Sequence, residues 1–453
     1  MGNFSSLNIG MTALRAFKSY QDIIGNNIAN VSNKNYKRRD GVLEPLRVSD
    51  SVYGGVDLVR IKRTVDYFAE RDVRNSVSDY EKNNYMCHVF SKLEGKINVL
   101  DESSVYSALS SFWEALDELS KTPSDITLKN SCVSKGKNLC VSIKNVIDNN
   151  LRTEQDIFNT AQNDIKLINN KLKQIADLNQ KIIETETIGL ESNSLRDARD
   201  GILEELSEYF DFDMIEDKNG YRISVNGISV VNGKEFYEIK AEISGGAYKK
   251  IDYSIPKYNQ NISFSLGKLS AYADSIKEIG DINSSFDKII KSLVSTEPES
   301  INYIHRNGYD SNGNLSGKDF FVLNSKGELD INPDIVSDPS LFAASKQPYS
   351  LDGGNVSDMA DELKSPKIDG KSYFEFLSEI SSLIGFKSQN YKYDTDTSLE
   401  VKNQALNRRD SVSGISVDEE MVKLMEMQKA YSTMARYMIS ANEAFDELIN
   451  IIR

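Results

Sequence analysis

The residues of this chain that could carry chemistry are few, and the first candidate is residues 310–314, Asp-Ser-Asn-Gly-Asn. Carboxylate and amide oxygens alternate there, as they do in a calcium-binding loop. An EF-hand loop counted from Asp310 needs glycine at its sixth position and glutamate at its twelfth, where this chain has Leu315 and Phe321. We therefore interpret the run as a turn rich in Asp, Asn and Gly, and predict no metal site.

A second candidate is the charged cluster at residues 196–200, which contains Arg196, Asp197, Arg199 and Asp200. On a helix, Arg196 and Asp200 lie four residues apart and can pair on the surface. The cluster is therefore interpreted as a solvated, salt-bridged helix face. Since no nucleophile stands with a base and an orienting group anywhere in the sequence, we predict no catalytic residue and a protein that is not an enzyme.

The sequence also has few residues for thiol or imidazole chemistry, with three cysteines and two histidines in 453 residues. Cys87 and His88 are adjacent on a helical pattern and point in different directions, so a ligand pair is not expected. Cys132 and Cys140 would be about 12 Å apart on a helix, which is too far for a disulfide. We expect free thiols and no cofactor.

The charge balance limits the partners. With 54 basic and 68 acidic residues the net charge is −14, which argues against nucleic acid or an anionic membrane as a partner. The basic run at residues 37–39 has no interleaved aromatics, so we expect it to contact acidic faces of neighbouring subunits or to be solvated. No run of about 18 apolar residues and no secretory signal occurs, so any export should not use a cleaved signal.

Helical periodicity dominates the pattern of elements. The eight prolines all avoid the first 44 residues, residues 124–255 and the residues after 366. The C-terminal stretch carries an unbroken heptad seam about 48 Å long, as in helices that pack lengthwise. Its members are Met421, Leu424, Gln428, Tyr431, Ala435, Met438, Asn442, Phe445, Ile449 and Ile452.

The N-terminal stretch has a matching apolar stripe, formed by Phe4, Leu7, Met11, Leu14, Phe17, Ile24, Ile28 and Val31. Residues 1–40 hold six basic and two acidic groups, whereas residues 410–453 hold four basic and eight acidic groups. Opposite charge favours pairing of the two ends, although each exposed pair contributes little. Two unrelated surface helices remain the alternative.

Further helical patterns and one β-rich segment lie between the ends. A long heptad-like run covers residues 158–182, and Asn-Gly pairs at residues 226–227 and 232–233 separate alternating runs, as in hairpins. We predict a mainly α protein with a β insert, built as an elongated multi-domain rod. The terminal helices form a coiled-coil-like, tube-forming domain (1–60 plus 411–453), and a helical-bundle middle domain (61–210 plus 263–410) carries a small inserted β domain (211–262).

Motifs at both ends and in the middle resemble a known family. Residues 26–32 (Asn-Asn-Ile-Ala-Asn-Val-Ser) with 36–38, and residues 413–420 with 428–431, are similar to the end signatures of flagellar rod, hook and hook-associated proteins. Residues 193–207, together with 308–314, 331–333 and 338–345, resemble the hook-associated protein 1 (FlgK) family. Asn35 stands where family members often carry glycine, and asparagine also tolerates left-handed φ.

The resemblance implies a structural subunit outside the cell, exported unfolded through the flagellar type III apparatus. It would form the first junction ring between hook and filament. The implied partners are the hook protein, the second junction protein, copies of itself in the ring, and a cytoplasmic FlgN-type export chaperone at the C-terminal helix. The residues expected at the assembly interface are Leu7, Met11, Leu14, Ile24, Ile28, Leu424, Tyr431, Met438, Phe445 and Ile449.

Two other functions remain open from the sequence. The first is a hook or rod-type axial subunit, which shares the end signatures; the long helix at 158–182 and the segment at 195–207 count against it. The second is a secreted adhesin or enzyme on a flagellar scaffold. Its only seat would be residues 211–262, which are poor in His, Cys and paired carboxylates.

Overall fold

The protein is represented by a computed structural model, which describes residues 2–49, 52–97, 104–189, 191–218, 220–245, 249–350 and 352–452. Within those ranges, the side chains of residues 2–5, 47–49, 52–53, 96–97 and 448–452 lie outside the description. Helices make up most of the described chain and several small antiparallel sheets make up the rest. The predicted fold class, mainly α with a β insert, is confirmed.

The two chain ends meet in one unit, which we call the terminal module. It consists of α1 (Gly2–Ala29), the hairpin β1 (Arg39–Ser49) and β2 (Val52–Arg63), and α11 (Val417–Ile452). Helix α1 packs against both α11 and β2. The hairpin was not predicted, although apolar and polar residues alternate over residues 59–62 (Val-Arg-Ile-Lys) in β2.

The rest of the chain forms the body, whose frame is helical. Helix α2 (Tyr67–Ile97) lies antiparallel along α10 (Tyr373–Ser413), since Asp72 pairs with Arg408 and the Phe90 ring stacks on Tyr391. The other long helices are α3 (Val105–Lys121), α4 (Ile126–Thr187), α5 (Asn193–Ser207) and α6 (Gly267–Leu293). With 62 residues, α4 spans about 93 Å and is more than twice as long as the predicted run.

The β insert packs on α4. Its strands are β3 (Asp213–Asp217), β4 (Gly220–Val225), β5 (Ile228–Asn232) and β6 (Glu235–Phe236) in one meander, and β7 (Lys240–Ser244), β8 (Lys250–Ile255) and β9 (Gln260–Ile262) in another. The Asn179 side chain on α4 donates hydrogen bonds to the carbonyl oxygens of Tyr221 and Gly233. The strand side chains join the same apolar core as α4, so the insert shares its core with the helices. The domain boundaries at residues 211 and 262 stay a prediction.

The turn-rich region after α6 is compact. It contains α7 (Ile301–Asn307), the hairpin β10 (Phe321–Leu323) and β11 (Leu329–Ile331), α8 (Pro333–Ser337) and α9 (Gly354–Glu362). The Asp310 carboxylate accepts hydrogen bonds from the backbone N–H groups of Asn312, at 2.8 Å, and Asn314, at 2.9 Å. The predicted turn at residues 310–314 is confirmed, because its carboxylate caps its own loop.

Candidate assembly site at the paired termini

Helices α1 and α11 run side by side and approach each other closely at Gly10. A Cβ atom placed on Gly10 would overlap the Met438 side chain, so only glycine fits there unless that side chain shifts. Ala13 and Ala16 are buried one and two turns further along α1. The predicted pairing of the two chain ends is confirmed by this contact.

The hairpin covers a further side of α1. A Cβ atom on Gly55 would overlap Oγ1 of Thr12 and lie 3.3 Å from the Cα atom of Ile9, and the φ angle of Gly55 is +129°. Both the close approach and the backbone conformation therefore require glycine. Helix α1 is thus held between α11 and β2, and its buried apolar side chains are Ala13, Ala16, Ile23 and Ile24.

A buried amide joins the two family-like signatures. The Asn27 Nδ2 group donates to the backbone oxygen of Arg39 and to Oε2 of Glu420, both at 2.8 Å. Its Oδ1 atom accepts from the Arg39 backbone N–H at 3.1 Å and from the Tyr36 hydroxyl at 2.9 Å. Asn27 and Glu420 are almost fully buried, so every polar atom of the Asn27 amide is used inside the protein. We call this arrangement the Asn27 knot.

A second polar contact adjoins the knot. The Lys423 Nζ group donates to Oδ1 of Asp40 and to Oε1 of Glu420, each at 3.1 Å, and the Thr64 hydroxyl donates to Asp40 at 3.0 Å. Burial acts to raise the pKa of Asp40, but the hydrogen bonds from Lys423 and Thr64 outweigh it and lower that pKa. Burial acts to lower the pKa of Lys423, and its two carboxylate partners raise it instead. The carboxylate and the ammonium group therefore stabilise each other's charged form.

The basic run at residues 37–39 fixes the terminal module to the body. Lys37 is buried and pairs with Glu70 on α2, and the Arg38 backbone N–H donates to the Ser413 carbonyl oxygen at 3.2 Å. Arg39 pairs with Asp197 on α5 at 3.0 Å. The expectation that these cations contact neighbouring subunits or water is wrong for Lys37 and Arg39, whose acidic partners lie within this chain.

The charged cluster on α5 is the other half of this junction. The Arg63 Nε atom lies 2.8 Å from Oδ1 of Asp197, and Arg63 also pairs with Asp200. Arg199 is fully buried and donates to Oδ1 of Asn179 at 2.8 Å. The interpretation of residues 196–200 as a solvated face is therefore wrong for Asp197 and Arg199. Burial raises the pKa of Asp197 despite the two arginines beside it.

The backbone of β2 is held by residues at the start of α5 and just before it. The Ile61 N–H donates to the Glu191 carboxylate at 3.0 Å, and the Asn193 side chain donates to the Ile61 carbonyl oxygen at 2.8 Å. The strand edge is thereby satisfied by side chains of the body rather than by another strand. Residues 193–207, which carry the motif that singled out one family in the sequence, therefore also bind the terminal module.

The ten predicted interface residues do not share one environment. Ile24 is buried, while Leu7, Leu14, Ile28, Leu424, Met438 and Phe445 are half-buried in the pair, and Met11 and Tyr431 are exposed. The Ile449 side chain lies outside the described residues. On the predicted seam, Met421, Gln428 and Asn442 are exposed in the single chain. Sequence reasoning missed Gly10, Ala13 and Ala16, whose spacing of three residues is the signal of a close helix contact.

The polar groups of the terminal module described above are engaged in contacts within the chain. Among the residues that the structure describes, no group of three or more His, Cys, Asp or Glu side chains could hold a metal ion. In the same part of the chain, no helix is long and apolar enough to cross a membrane. Burial raises the pKa of both Cys132 and Cys140 to about 12, so these thiols stay protonated at neutral pH.

Family models match three parts of the chain. The model of the flagellar hook-associated protein FlgK helical domain matches residues 90–321. The model of the flagellar basal body rod FlgEFG protein C-terminal region matches residues 408–451, and that of the flagella basal body rod protein matches residues 7–37. The two end matches contain the α1 and α11 segments that meet in the terminal module.

Several known proteins are similar over nearly the whole length. The chain is 24% identical to flagellar hook-associated protein 1 of Bacillus subtilis (strain 168), over 99% of this chain and 98% of that protein. It is 22% identical to flagellar hook-associated protein 1 of Escherichia coli (strain K12), over 99% of this chain and 100% of that protein. The solved structure of the flagellar hook junction protein FlgK from Burkholderia pseudomallei matches with a TM-score of 0.49 and 15% identity, over 56% of this chain and 47% of that one.

The end signatures are common to several axial proteins, but the helical body is not. The helical-domain model covers more than half of the chain and includes the α5 segment that binds the hairpin. This match decides against the alternative of a hook or rod-type subunit. The chain therefore belongs to the family of the flagellar hook-associated protein FlgK, a structural protein of the flagellar hook–filament junction.

Proposed function

We propose that this chain forms the first junction ring between hook and filament, and that copies assemble through the paired terminal helices. The observation that carries the proposal is the exposure of α11. Glu420 is the one buried residue among its described side chains, although the helix has 36 residues. The exposed apolar side chains of this helix are Val417, Met421, Val422, Met425, Tyr431, Tyr437 and Ile439.

Such a helix needs further partners. A pair of helices in water gains little from propensity alone, and most helical stability in proteins comes from packing of an apolar face. Helix α1 covers one side of α11, and the other side presents valine, methionine and isoleucine to solvent. Terminal helices of neighbouring copies, packed around the axis of the ring, would cover these side chains and form a tube. The body would then form the outer part of the ring.

We further propose the partners that the family resemblance implies. The hook protein would lie on one side of the ring and the second junction protein on the other. The chain would pass unfolded through the flagellar type III apparatus and act outside the cell as a structural subunit without catalytic activity. Before export, a FlgN-type chaperone would cover the apolar outer face of α11 in the cytoplasm.

The outer face of α11 can be tested with a matched pair of variants. Val422 on α11 is 50% exposed and Val141 on α4 is 44% exposed, so Val422→Asp and Val141→Asp introduce the same charge at similar exposure. We expect Val422→Asp to abolish filament growth and swimming, and Val141→Asp to leave both unchanged. Circular dichroism of the purified chains should match for both variants. Normal filaments with Val422→Asp would refute tube packing by α11.

The chaperone site has a separate test. Deletion of residues 415–453 should abolish a complex with the cytoplasmic chaperone in a pull-down, because the proposed binding face is removed. The Val141→Asp chain, with an intact α11, serves as the control that still binds. A complex that survives the deletion would place the chaperone site on the body and leave the ring proposal unaffected.

A further inference from the structure

The body has an exposed apolar stripe that its own chain leaves uncovered. Leu383, Phe386, Tyr393 and Val401 on α10 are exposed at 49%, 64%, 71% and 50%. Together with the exposed Asn390 and Thr397 they follow a spacing of three and four residues, which places them on one face of the helix. We call these six residues the α10 stripe. Most surface helices bury such a face, so this one is expected to be covered in the assembled protein.

The stripe has acidic margins. Asp394 and Glu400 stand on either side of its centre, both are exposed, and within the described part of the chain no basic side chain lies within 4 Å of either. Of the cations on the same helix, Lys387, Lys402 and Arg408 are engaged elsewhere, with Glu278, on the Tyr80 ring and with Asp72. Lys392 is two residues from Asp394 and therefore does not face it on the helix. A partner for the stripe should therefore offer cations beside an apolar or aromatic group.

Cations beside an aromatic side chain are present where the β1–β2 hairpin meets the body. Arg60, Lys62 and Tyr67 line an open cleft of about 560 Å³ between β2 and α5, and the Tyr67 ring is 61% exposed. The two carboxylates that line the cleft already have partners, since Glu191 accepts a hydrogen bond from the Ile61 backbone and Glu186 pairs with Arg196. Over the residues that the structure describes, Arg60 and Lys62 have no acidic side chain within 4 Å. We call Arg60, Lys62 and Tyr67 the hairpin-root patch.

We propose that the hairpin-root patch of one copy binds the α10 stripe of the neighbouring copy in the ring, an inference that rests on the proposed function. Charge complementarity favours a second copy as the occupant. Residues 1–66 hold ten basic and six acidic groups within a chain whose net charge is −14, so the patch is a positive site that a copy's acidic body attracts. Because the two surfaces differ, the contact is head-to-tail, which is the kind that builds rings.

The pairing of α2 with α10 also gives the relative position of neighbours. Asp72 is level with Arg408 and Phe90 is level with Tyr391, so Tyr393 lies about 20 residues along α2 from Tyr67. At 1.5 Å per residue that separation is about 30 Å along the helix pair. Adjacent copies should therefore be staggered by about 30 Å along the axis of α10.

Disulfide trapping in assembled flagella tests the contact. Lys62→Cys combined with Glu400→Cys cannot close a bridge within one chain, because Glu400 is level with about residue 80 of α2, about 20 Å along that helix from Tyr67 at the patch, and a disulfide needs Cα atoms within about 7 Å. After mild oxidation of isolated flagella we expect a ladder at multiples of the chain mass. The matched control is Lys62→Cys with Asp177→Cys, an exposed acid on α4, which should stay at one chain mass.

The experiment is repeated with Asp394→Cys in place of Glu400→Cys, because the patch could contact a different point along α10. A ladder with either pair supports the proposal. Filaments that grow without a ladder from both pairs, or a product with a different protein only, would overturn it and leave the ring itself intact. If the ring proposal were wrong instead, Val422→Asp would already give normal filaments.

A charge exchange decides the matter if the cysteine variants fail to assemble. Lys62→Glu and Glu400→Lys should each reduce swimming at least fivefold, and the double variant should recover at least half of the original speed. Secretion of the chain into the medium should be equal for all three. Single variants that swim normally, or a double variant no better than the singles, would refute the contact.

Discussion

The long helix of the body and the long helix of the terminal module use the same amphipathic pattern with opposite results. Helix α4 buries an apolar stripe along nearly its whole length against α3, α5, α6 and the sheets. Helix α11 buries Glu420 and leaves most apolar side chains half or fully exposed. Helix α4 therefore completes its packing within one chain, whereas α11 leaves apolar surface that we propose neighbouring chains bury.

Among single substitutions, we expect Met438→Asp to have the largest effect, because it should disrupt the terminal module and spare the body. A carboxylate against Gly10 cannot pair there, so α1 and α11 should separate while the body stays folded. Limited proteolysis should cleave the chain ends and leave a stable core covering α2 to α10, and cells should make no filaments. Met425→Asp is the control in solution, since Met425 is exposed and its replacement should leave the isolated chain resistant. Filament growth with Met438→Asp would contradict the role of the pair.

A smaller effect is expected from a substitution in the core of the body. Leu172 on α4 is fully buried in the body core, so Leu172→Ala should lower the free energy of unfolding by about 2–5 kcal/mol. Urea denaturation followed by circular dichroism measures this loss. Cleavage of the terminal module in the native chain should not change. Equal destabilisation by Leu167→Ala, at an exposed position of the same helix, would show that the body core is not where its stability lies.

The smallest effect concerns pH at the terminal module. The pKa of Asp40 is lowered in the folded protein from 3.8, so its contribution is present above about pH 4 and is lost as the pH falls through the folded pKa. Proteolysis of the chain ends should therefore accelerate below pH 4. The change should be modest, because the Asp40 side chain is 37% exposed. Asp40→Asn should weaken this acid dependence, and an unchanged profile would exclude Asp40 as its source.

The sequence predicted the helices and the meeting of the chain ends because these depend on local periodicity. Met421 and Gln428 of the predicted seam are exposed in the single chain, and a strict heptad drifts by about 20° per repeat on a straight helix. Burial of Asp197 could not be foreseen, because its partners Arg39 and Arg63 lie more than 130 residues away. Arg199 is buried against Asn179 and the Tyr221 ring, which stand on other elements about 20 residues away. Nothing local distinguishes a buried charged cluster from a solvated one.

The Asn27 knot makes completion of the terminal module depend on both extremities of one polypeptide. Asn27 lies near the start and Glu420 near the end, so the amide meets its carboxylate only in a chain that extends to residue 420. A product that stops between residues 414 and 419 would contain every element of the body yet leave the buried Asn27 amide without this acceptor. Completion of the knot therefore reports that α11 is in place.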